Sequence, residues 1–405
     1  MRKVRQCLVG KPLSWLALLV AVFVALQLFS IAGLVLLNRL KHITYGPVAI
    51  DSITKQQRLM LEEFLAGKAG HVAYSSVLGW TANPNGRAPL YRANSAEPRA
   101  GRGYALHPRG GALRIATFGS FYYGDDVKEE DSWQEVMMRM RPNIEVLNFG
   151  VQDFGIDQAL LRYEHDGAAY RPDIVLMEFF PESIYLSVNT YRPFYYRDTD
   201  LPLAKPRYVL QSGRLLLLPT PLAVLPQYSA LATNPARVLP MLGQHDYYYQ
   251  SQYHRGSLAV LPSVRLLQIL RRQLVYQGTA IGIEENGVYN VDSEAFKVTA
   301  AIFDEFVDAA RRAGSVPIIV ALPHAADIDR FRRDGQKRYA PLLARFQTRG
   351  YRYVDMLEGF EEYGKRMAAA ELAPGEYSPL GNQIVAKVVW QFLVTHGLTN
   401  NRRPH

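Results

Sequence analysis

A serine leaving one apolar strand on a glycine, a histidine leaving another, and carboxylates in the loops between them are the residues of this 405-residue chain whose types could do chemistry. Ser120 follows the run LRIATF in IATFGSFYYGDDV, and His324 follows SVPIIVALP in VALPHAAD. A serine hydroxyl becomes a nucleophile when an imidazole within hydrogen-bond reach takes its proton and a third group orients the imidazole. His324 is the candidate substitute base, because it sits at what should be the carboxyl end of a strand, the edge where open α/β sheets bind ligands. Without a base, a serine in such a position only shapes its turn, and Asp125 and Asp126 just beyond it suit the capping of backbone N–H groups. The nine histidines are scattered singly and the only cysteine is Cys7, so no zinc-ligand spacing occurs and neither a metal nor another cofactor is expected. With that cysteine ahead of the first apolar run there is no disulfide framework.

The elements that must position these groups begin with an apolar run. Leu13 to Leu37 contains no ionisable residue and, at about 1.5 Å per residue, exceeds the ~30 Å hydrocarbon thickness of a bilayer. The hydrophobic region of a cleaved leader is normally only ~7 to 15 residues, and no convincing small-x-small cleavage site follows, so the expectation is an uncleaved transmembrane helix over residues 13–37. Arg2, Lys3, Arg5 and Lys11 precede it with no acid, which keeps a cytoplasmic tail at residues 1–12 and turns the rest of the chain toward the periplasm or the exterior of a cytoplasmic (inner) membrane. Those four residues also account for four of the nine net positive charges. The +5 that remains, without an arginine-rich helix or an aromatic-plus-basic module, gives no reason to expect a nucleic-acid partner.

Beyond the span, a stalk helix is expected from Asp51 to Lys68 and a Gly/Pro/Asn-rich lead-in to residue 112. Strand and helix patterns then alternate: strands at 113–118, 144–149, 173–179, 315–323 and 351–356, and helices at 132–141, 157–170, 293–312, 339–348 and 379–396. Strands that are apolar without polar alternation belong in a parallel sheet covered on both faces, and the rhythm is that of a doubly wound α/β domain over residues 113–405. A tyrosine- and proline-rich insertion at about 184–290, with a helical segment near Ser263 to Gln277, interrupts it. Such insertions usually lie over the carboxyl ends of the strands. Its clustered tyrosines suit either stacking on sugar rings or ordinary packing.

Four blocks in order, IATFGSFYYGDDV, VLNFGVQDFGIDQALL, PDIVLMEFFPES and GEYSPLGNQIVA, resemble those of the SGNH (GDSL-type) hydrolases. The likeness runs over roughly Leu78 to Leu393 and is greatest to the membrane-anchored bacterial SGNH-like proteins, in which segments resembling LGWTANPN and YRANSAEPR precede the nucleophile strand. The resemblance implies an SGNH-type doubly wound parallel sheet with helices on both faces, here preceded by one N-terminal transmembrane helix. It also implies roles. Ser120 stands where the family has its nucleophile, with Gly119 in place of the aspartate of Gly-Asp-Ser. Gly150 matches the glycine whose backbone N–H helps hold the oxyanion. Glu182, in Phe180-Pro181-Glu182-Ser183, replaces the asparagine that donates to the same oxyanion. Pro374, Gly375 and Glu376 replace Asp-Gly-His before YSPLG, so the orienting acid and the base are both missing.

An ionised Glu182 would repel a developing oxyanion, and a carboxylate at Glu376 is a poor base for a serine hydroxyl at neutral pH. The expectation is a catalytically degenerate domain that binds a glycan or an envelope protein partner in cell-envelope polysaccharide assembly or modification, the polysaccharide link being what the resemblance implies. The alternative is an active esterase or O-acyltransferase on acylated surface glycans or lipids, using Ser120 with His324. Because Gly119 allows backbone angles that an aspartate rarely adopts, a rearranged turn would place Tyr122 or Tyr123 in the pocket, which makes them the candidate ligand contacts.

Overall fold

The computed structural model describes residues 10–41, 52–68, 70, 72–84, 86–88, 90–93, 103–108, 111–120, 127–197, 199, 201–252, 257–276 and 282–400. In chain order its main elements are α1 (Gly10–Lys41), α2 (Lys55–Leu65), β1 (Leu113–Phe118), α3 (Trp133–Met140), β2 (Ile144–Asn148), α4 (Ile156–Arg162), β3 (Ile174–Phe179), α5 (Pro262–Tyr276), α6 (Glu294–Arg312), β4 (Val316–Ala321), α7 (Ala325–Asp334), α8 (Ala340–Thr348), β5 (Tyr353–Asp355), α9 (Met356–Tyr363) and α10 (Pro379–Thr395).

β1 to β5 form one five-stranded sheet in the order β2-β1-β3-β4-β5, and every pair in it is parallel. This is the flavodoxin-like order of doubly wound domains. Because successive side chains of a strand point to opposite faces, the strands divide their residues between two cores. Ala116, Phe118, Leu147, Val175, Met177, Phe179, Ile319 and Ala321 pack on one face with α4, α6 and α8. Ile115, Val146, Ile174, Leu176, Ile318 and Val320 pack on the other with α3, α9 and α10. Burial on both faces is why these strands are apolar throughout. Helix ends are set locally: Ser293 caps α6 by accepting from the Phe296 N–H at 3.1 Å, and Ser378 caps α10 by accepting from the Gly381 N–H, with Pro379 in the first turn.

Several expectations need correction. The lead-in is not simply loop: Val72–Ser75 and Gly79–Ala82 pair as an antiparallel hairpin, and its Leu78 and Trp80 belong to the main core. The helix expected at 157–170 ends as α-helix at Arg162 and continues as a π-turn over Tyr163–Gly167 and a short 3-10 turn. The insertion contains a hairpin, Arg207–Gln211 with Arg214–Leu218, and several short helices besides α5. α7 was not anticipated at all. The helix α1 is long and apolar enough to cross a membrane over Ser14–Leu37, a property that signal sequences share.

Candidate functional site

The carboxyl ends of the strands bring the block residues to one edge. Ser120 leaves β1, Gly150 leaves β2, Phe180 to Glu182 leave β3 and His324 leaves β4, while the loop before α10 is pinned to the same edge by the Tyr377 hydroxyl, which donates to the Pro323 carbonyl at 2.9 Å. Tyr122 and Tyr123, with Asp125 and Asp126, lie outside the described residues.

Gly119 has φ +148°, and a Cβ built on it would lie 2.3 Å from Oε2 and 2.4 Å from Cβ of Glu178. The carboxylate of Glu178, buried on β3, thus fills the space that a side chain at position 119 would take. The sequence did carry a signal for it: IVLMEFF has a single charge inside an otherwise apolar strand, and a charge there is rarely buried without a reason. Ser120 follows, only 8% exposed. Among the described residues its hydroxyl hydrogen-bonds to no histidine.

The groups expected to hold an oxyanion have other partners. The Gly150 N–H donates to the Asn148 side-chain carbonyl at 3.0 Å, and the next N–H, that of Val151, donates to the Gly119 carbonyl at 2.9 Å. At the third block Glu182 is gripped from two sides. Its Oε2 stands 2.8 Å from Nε2 of His324, at ion-pair distance but without hydrogen-bond alignment, and its Oε1 accepts from the Arg338 guanidinium. Burial pushes the Glu182 carboxyl up, but the His324 ring and Arg338 outweigh it and hold the pKa at about 2. It is therefore ionised at any physiological pH.

Arg338 organises the neighbourhood. Its Nε donates to Asp327 Oδ1 at 2.7 Å and a terminal nitrogen reaches Oδ2 at 3.1 Å. Burial opposes its charge, yet Glu182 and Asp327 more than offset this and raise its pKa above the ordinary value. Asp327 in turn accepts the His324 backbone N–H at 3.2 Å, fixing the start of α7 and with it the position of the imidazole. Glu284 stands 3.6 Å from Arg338. Tyr185 and Tyr195, half-buried, stack on each other beside these carboxylates, with ring centroids 5.8 Å apart. Nothing local marks Arg338, because GQKRYA is an ordinary basic loop. Pro374 and Gly375 are exposed and Glu376 is partly buried, in the loop that Tyr377 pins beside the exit of β4.

Three other insertion tyrosines are packing residues: Tyr191, Tyr248 and Tyr249 are buried, and Phe194 contacts both Tyr191 and Tyr249 edge-on or tilted. An open cavity of about 370 Å³ lies elsewhere, walled by Arg207, His245, Tyr247, Gln250 and Glu294, and includes none of the block residues. No group of three or more His, Cys, Asp or Glu side chains among the described residues could hold a metal ion.

No protein-family model and no curated protein matches the chain. Among solved structures it is similar to a lipolytic protein of the G-D-S-L family from Desulfitobacterium hafniense DCB-2, at 11% identity and a TM-score of 0.34, over 69% of this chain and 99% of that one. It is also similar to an alpha/beta hydrolase enzyme from the metagenome of Lake Arreo, Spain, at 14% identity and a TM-score of 0.36, over 71% and 96% of the two chains. A third is a two-domain esterase active on acetylated mannans, at 12% identity and a TM-score of 0.32, where 73% of this chain covers 52% of that one. The α/β assignment rests on the parallel sheet and its strand order.

Proposed function

We propose that the chain is a single-pass membrane protein whose SGNH-like domain faces the non-cytoplasmic side and binds a glycan or a protein partner of the cell envelope at the carboxyl edge of its sheet without hydrolysing it. One observation carries this reading: where an oxyanion would form, the Gly150 N–H is already engaged by Asn148, and the neighbouring block holds an ionised carboxylate, Glu182, instead of an amide donor. Removing a single oxyanion donor typically lowers turnover by ~10² to 10³, and a fixed negative charge opposes the developing alkoxide further. The same edge suits recognition. Half-buried Tyr185 and Tyr195 offer apolar ring surface, and Glu182, Glu284 and Arg338 offer acceptors and donors for hydroxyl groups, the combination that holds a sugar ring.

A second reading, the esterase or O-acyltransferase acting on acylated surface glycans or lipids, has one observation in its favour: His324 already has a carboxylate beside it, as the base of a triad does. It needs the imidazole to turn to Ser120 when substrate binds, and catalytic hydrogen bonds do sometimes tighten only then. Both readings meet one test. The purified full chain, in detergent, is given p-nitrophenyl acetate and acetylated oligosaccharides, and Ser120→Ala and His324→Ala are run beside it with a fluorophosphonate probe. The expected result is no Ser120-dependent turnover and no labelling. A rate that falls by orders of magnitude in both variants would establish the enzyme and sink the binding-only reading.

A further inference from the structure

The helix that is apolar enough to span a membrane is not bare. Gln27, near the middle of Ser14–Leu37, exchanges two hydrogen bonds with Ser263 at the start of α5: its amide donates to the Ser263 hydroxyl at 2.9 Å, and the Ser263 backbone N–H donates to its carbonyl at 3.1 Å. Six residues further along α1, a Cβ on Gly33 would lie 3.1 Å from Leu266. Gln27, Ser30, Gly33, Leu34 and Leu37 are the residues of the span that are shielded, at helical spacing on one face, whereas the rest of it is exposed. Small residues at Ser30 and Gly33 let two helix backbones approach, and a side-chain amide bonded across the contact is how helices associate in lipid.

α5 and the turn before it are apolar on more than the face that meets α1. Leu258, Val260 and Leu267 are 64%, 67% and 66% exposed, and Leu270 is 45% exposed, while Leu266 faces α1 and Ile269 is buried. Leu266, Leu267 and Leu270 share one apolar stripe of α5, of which α1 covers only the Leu266 edge, and an amphipathic helix with an uncovered apolar stripe suits the edge of an apolar medium. Residues 257–276 contain no acid, and their arginines are Arg265, Arg271 and Arg272. The two contacts fix the direction: from Ser263 to Leu266, α5 climbs as α1 climbs from Gln27 to Gly33. At about 1.5 Å per residue, Pro262 to Arg271 rises ~14 Å and Gln27 to Leu37 rises ~15 Å. Positions 271 and 272 of α5 therefore come level with the end of the apolar run, the depth at which headgroups begin.

We infer that residues 257–276 are a second membrane element of this chain, dipping into the leaflet nearest the α/β domain beside α1, with Leu258 and Val260 deepest and Arg271 and Arg272 at the headgroups. The occupant of the exposed apolar face is lipid. This rests on α1 being a membrane span, as proposed above. The consequence is that the domain is held at a set height and orientation on the bilayer instead of swinging on a tether.

The test uses the full chain with Cys7→Ser, spin-labelled at one position and reconstituted in vesicles of phosphatidylethanolamine and phosphatidylglycerol. Labels at Leu267→Cys and, separately, Leu270→Cys are compared with a reference label at Leu28→Cys in the span, using relaxation by oxygen, which concentrates in lipid, and by a water-soluble nickel chelate. Oxygen is expected to dominate at Leu267, at Leu270 and at Leu28. Nickel dominating at Leu267 and Leu270 while oxygen dominates at Leu28 would overturn the inference and leave the anchor intact. Nickel dominating at all three would overturn the anchor reading and the inference with it. Protection from both reagents at Leu267 and Leu270, with spin–spin broadening, would replace lipid by a second copy of the chain.

Discussion

Glu182 is the residue at which the site's electrostatics become measurable. Burial pushes its carboxyl up from an ordinary 4.5, but His324 and Arg338 outweigh it and hold it at about 2. A depressed carboxyl pKa contributes stability that is fully present above the unfolded-state value and is lost as pH falls through the folded value. The window is therefore pH 4.5 down to about 2. A shift of that size corresponds to ~3 kcal/mol, and because the side chain keeps some contact with water about 2 kcal/mol is the expected effect. Glu182→Gln should cost that amount at pH 7 in urea unfolding, and the gap to the parent should close as the pH is lowered through the window. Arg338 keeps its bidentate grip on Asp327 in the variant, so the arginine is not stranded. A gap that stays constant down to pH 2 would mean that the carboxylate is not held as described. The adjacent pair Gly119 and Glu178 shows the same logic in steric form: the glycine is needed because the glutamate of the next strand occupies the space above it.

At the scale of elements, α4 shows how the lead-in, the insertion and the sheet are bound into one body. Every residue of Ile156–Arg162 is buried, polar ones included, and each polar side chain has a partner outside the helix or at its cap. Gln158 donates to the Leu78 carbonyl at 2.8 Å, Arg162 to the Thr81 hydroxyl at 2.8 Å, and Lys205 of the insertion is paired with Asp157. Burial pulls the Lys205 pKa down while Asp157 raises it, and a buried cation of this kind is tolerable only with its partner. Lys205→Met, which strands Asp157, should cost ~3 to 5 kcal/mol in urea unfolding, whereas Lys205→Met with Asp157→Leu should recover most of that loss. If the double variant is as unstable as the single one, Asp157 contributes through its cap to the Gln158 N–H and not through the pair. This layering also explains what the sequence could and could not reveal. Strands such as LRIATF and SVPIIVALP announced themselves because both faces are buried. The hairpin at Val72–Ala82 did not, since its partners, Gln152 for the Trp80 indole and Gln158 for the Leu78 carbonyl, are some seventy to eighty residues away. α7, with AADIDRFRRD, has almost no apolar stripe and is held by Asp327 and Arg338 instead. The four block positions could be read from their motifs, but Arg338, which holds Glu182 ionised, comes from a distant loop and has no local signature.

For the whole molecule the open physical question is which side of a bilayer the sheet edge faces, and the chain carries its own reporter. Cys7 is the only cysteine and precedes the apolar run, while the domain beyond has none. Four basic residues before the span favour a cytoplasmic N-terminus. The expected outcome with a membrane-impermeant maleimide is that Cys7 stays unlabelled in intact spheroplasts and becomes labelled after permeabilisation, whereas Ser229→Cys, exposed in the insertion, is labelled in both. A Cys7 that reacts in intact cells would invert the topology and move the site to the cytoplasm. If labelling of Cys7 is lost even after permeabilisation while Ser229→Cys still reacts, the N-terminal helix has been cleaved off as a leader. In that case α5 would lose the partner that covers Ser263 and Leu266 and would present still more apolar surface to water. A released domain would then have to aggregate, bind a partner there or return to the membrane through α5 alone. Cleavage would also break the double hydrogen bond between Gln27 and Ser263, so the Ser263 hydroxyl and N–H would then turn to water or to lipid headgroups.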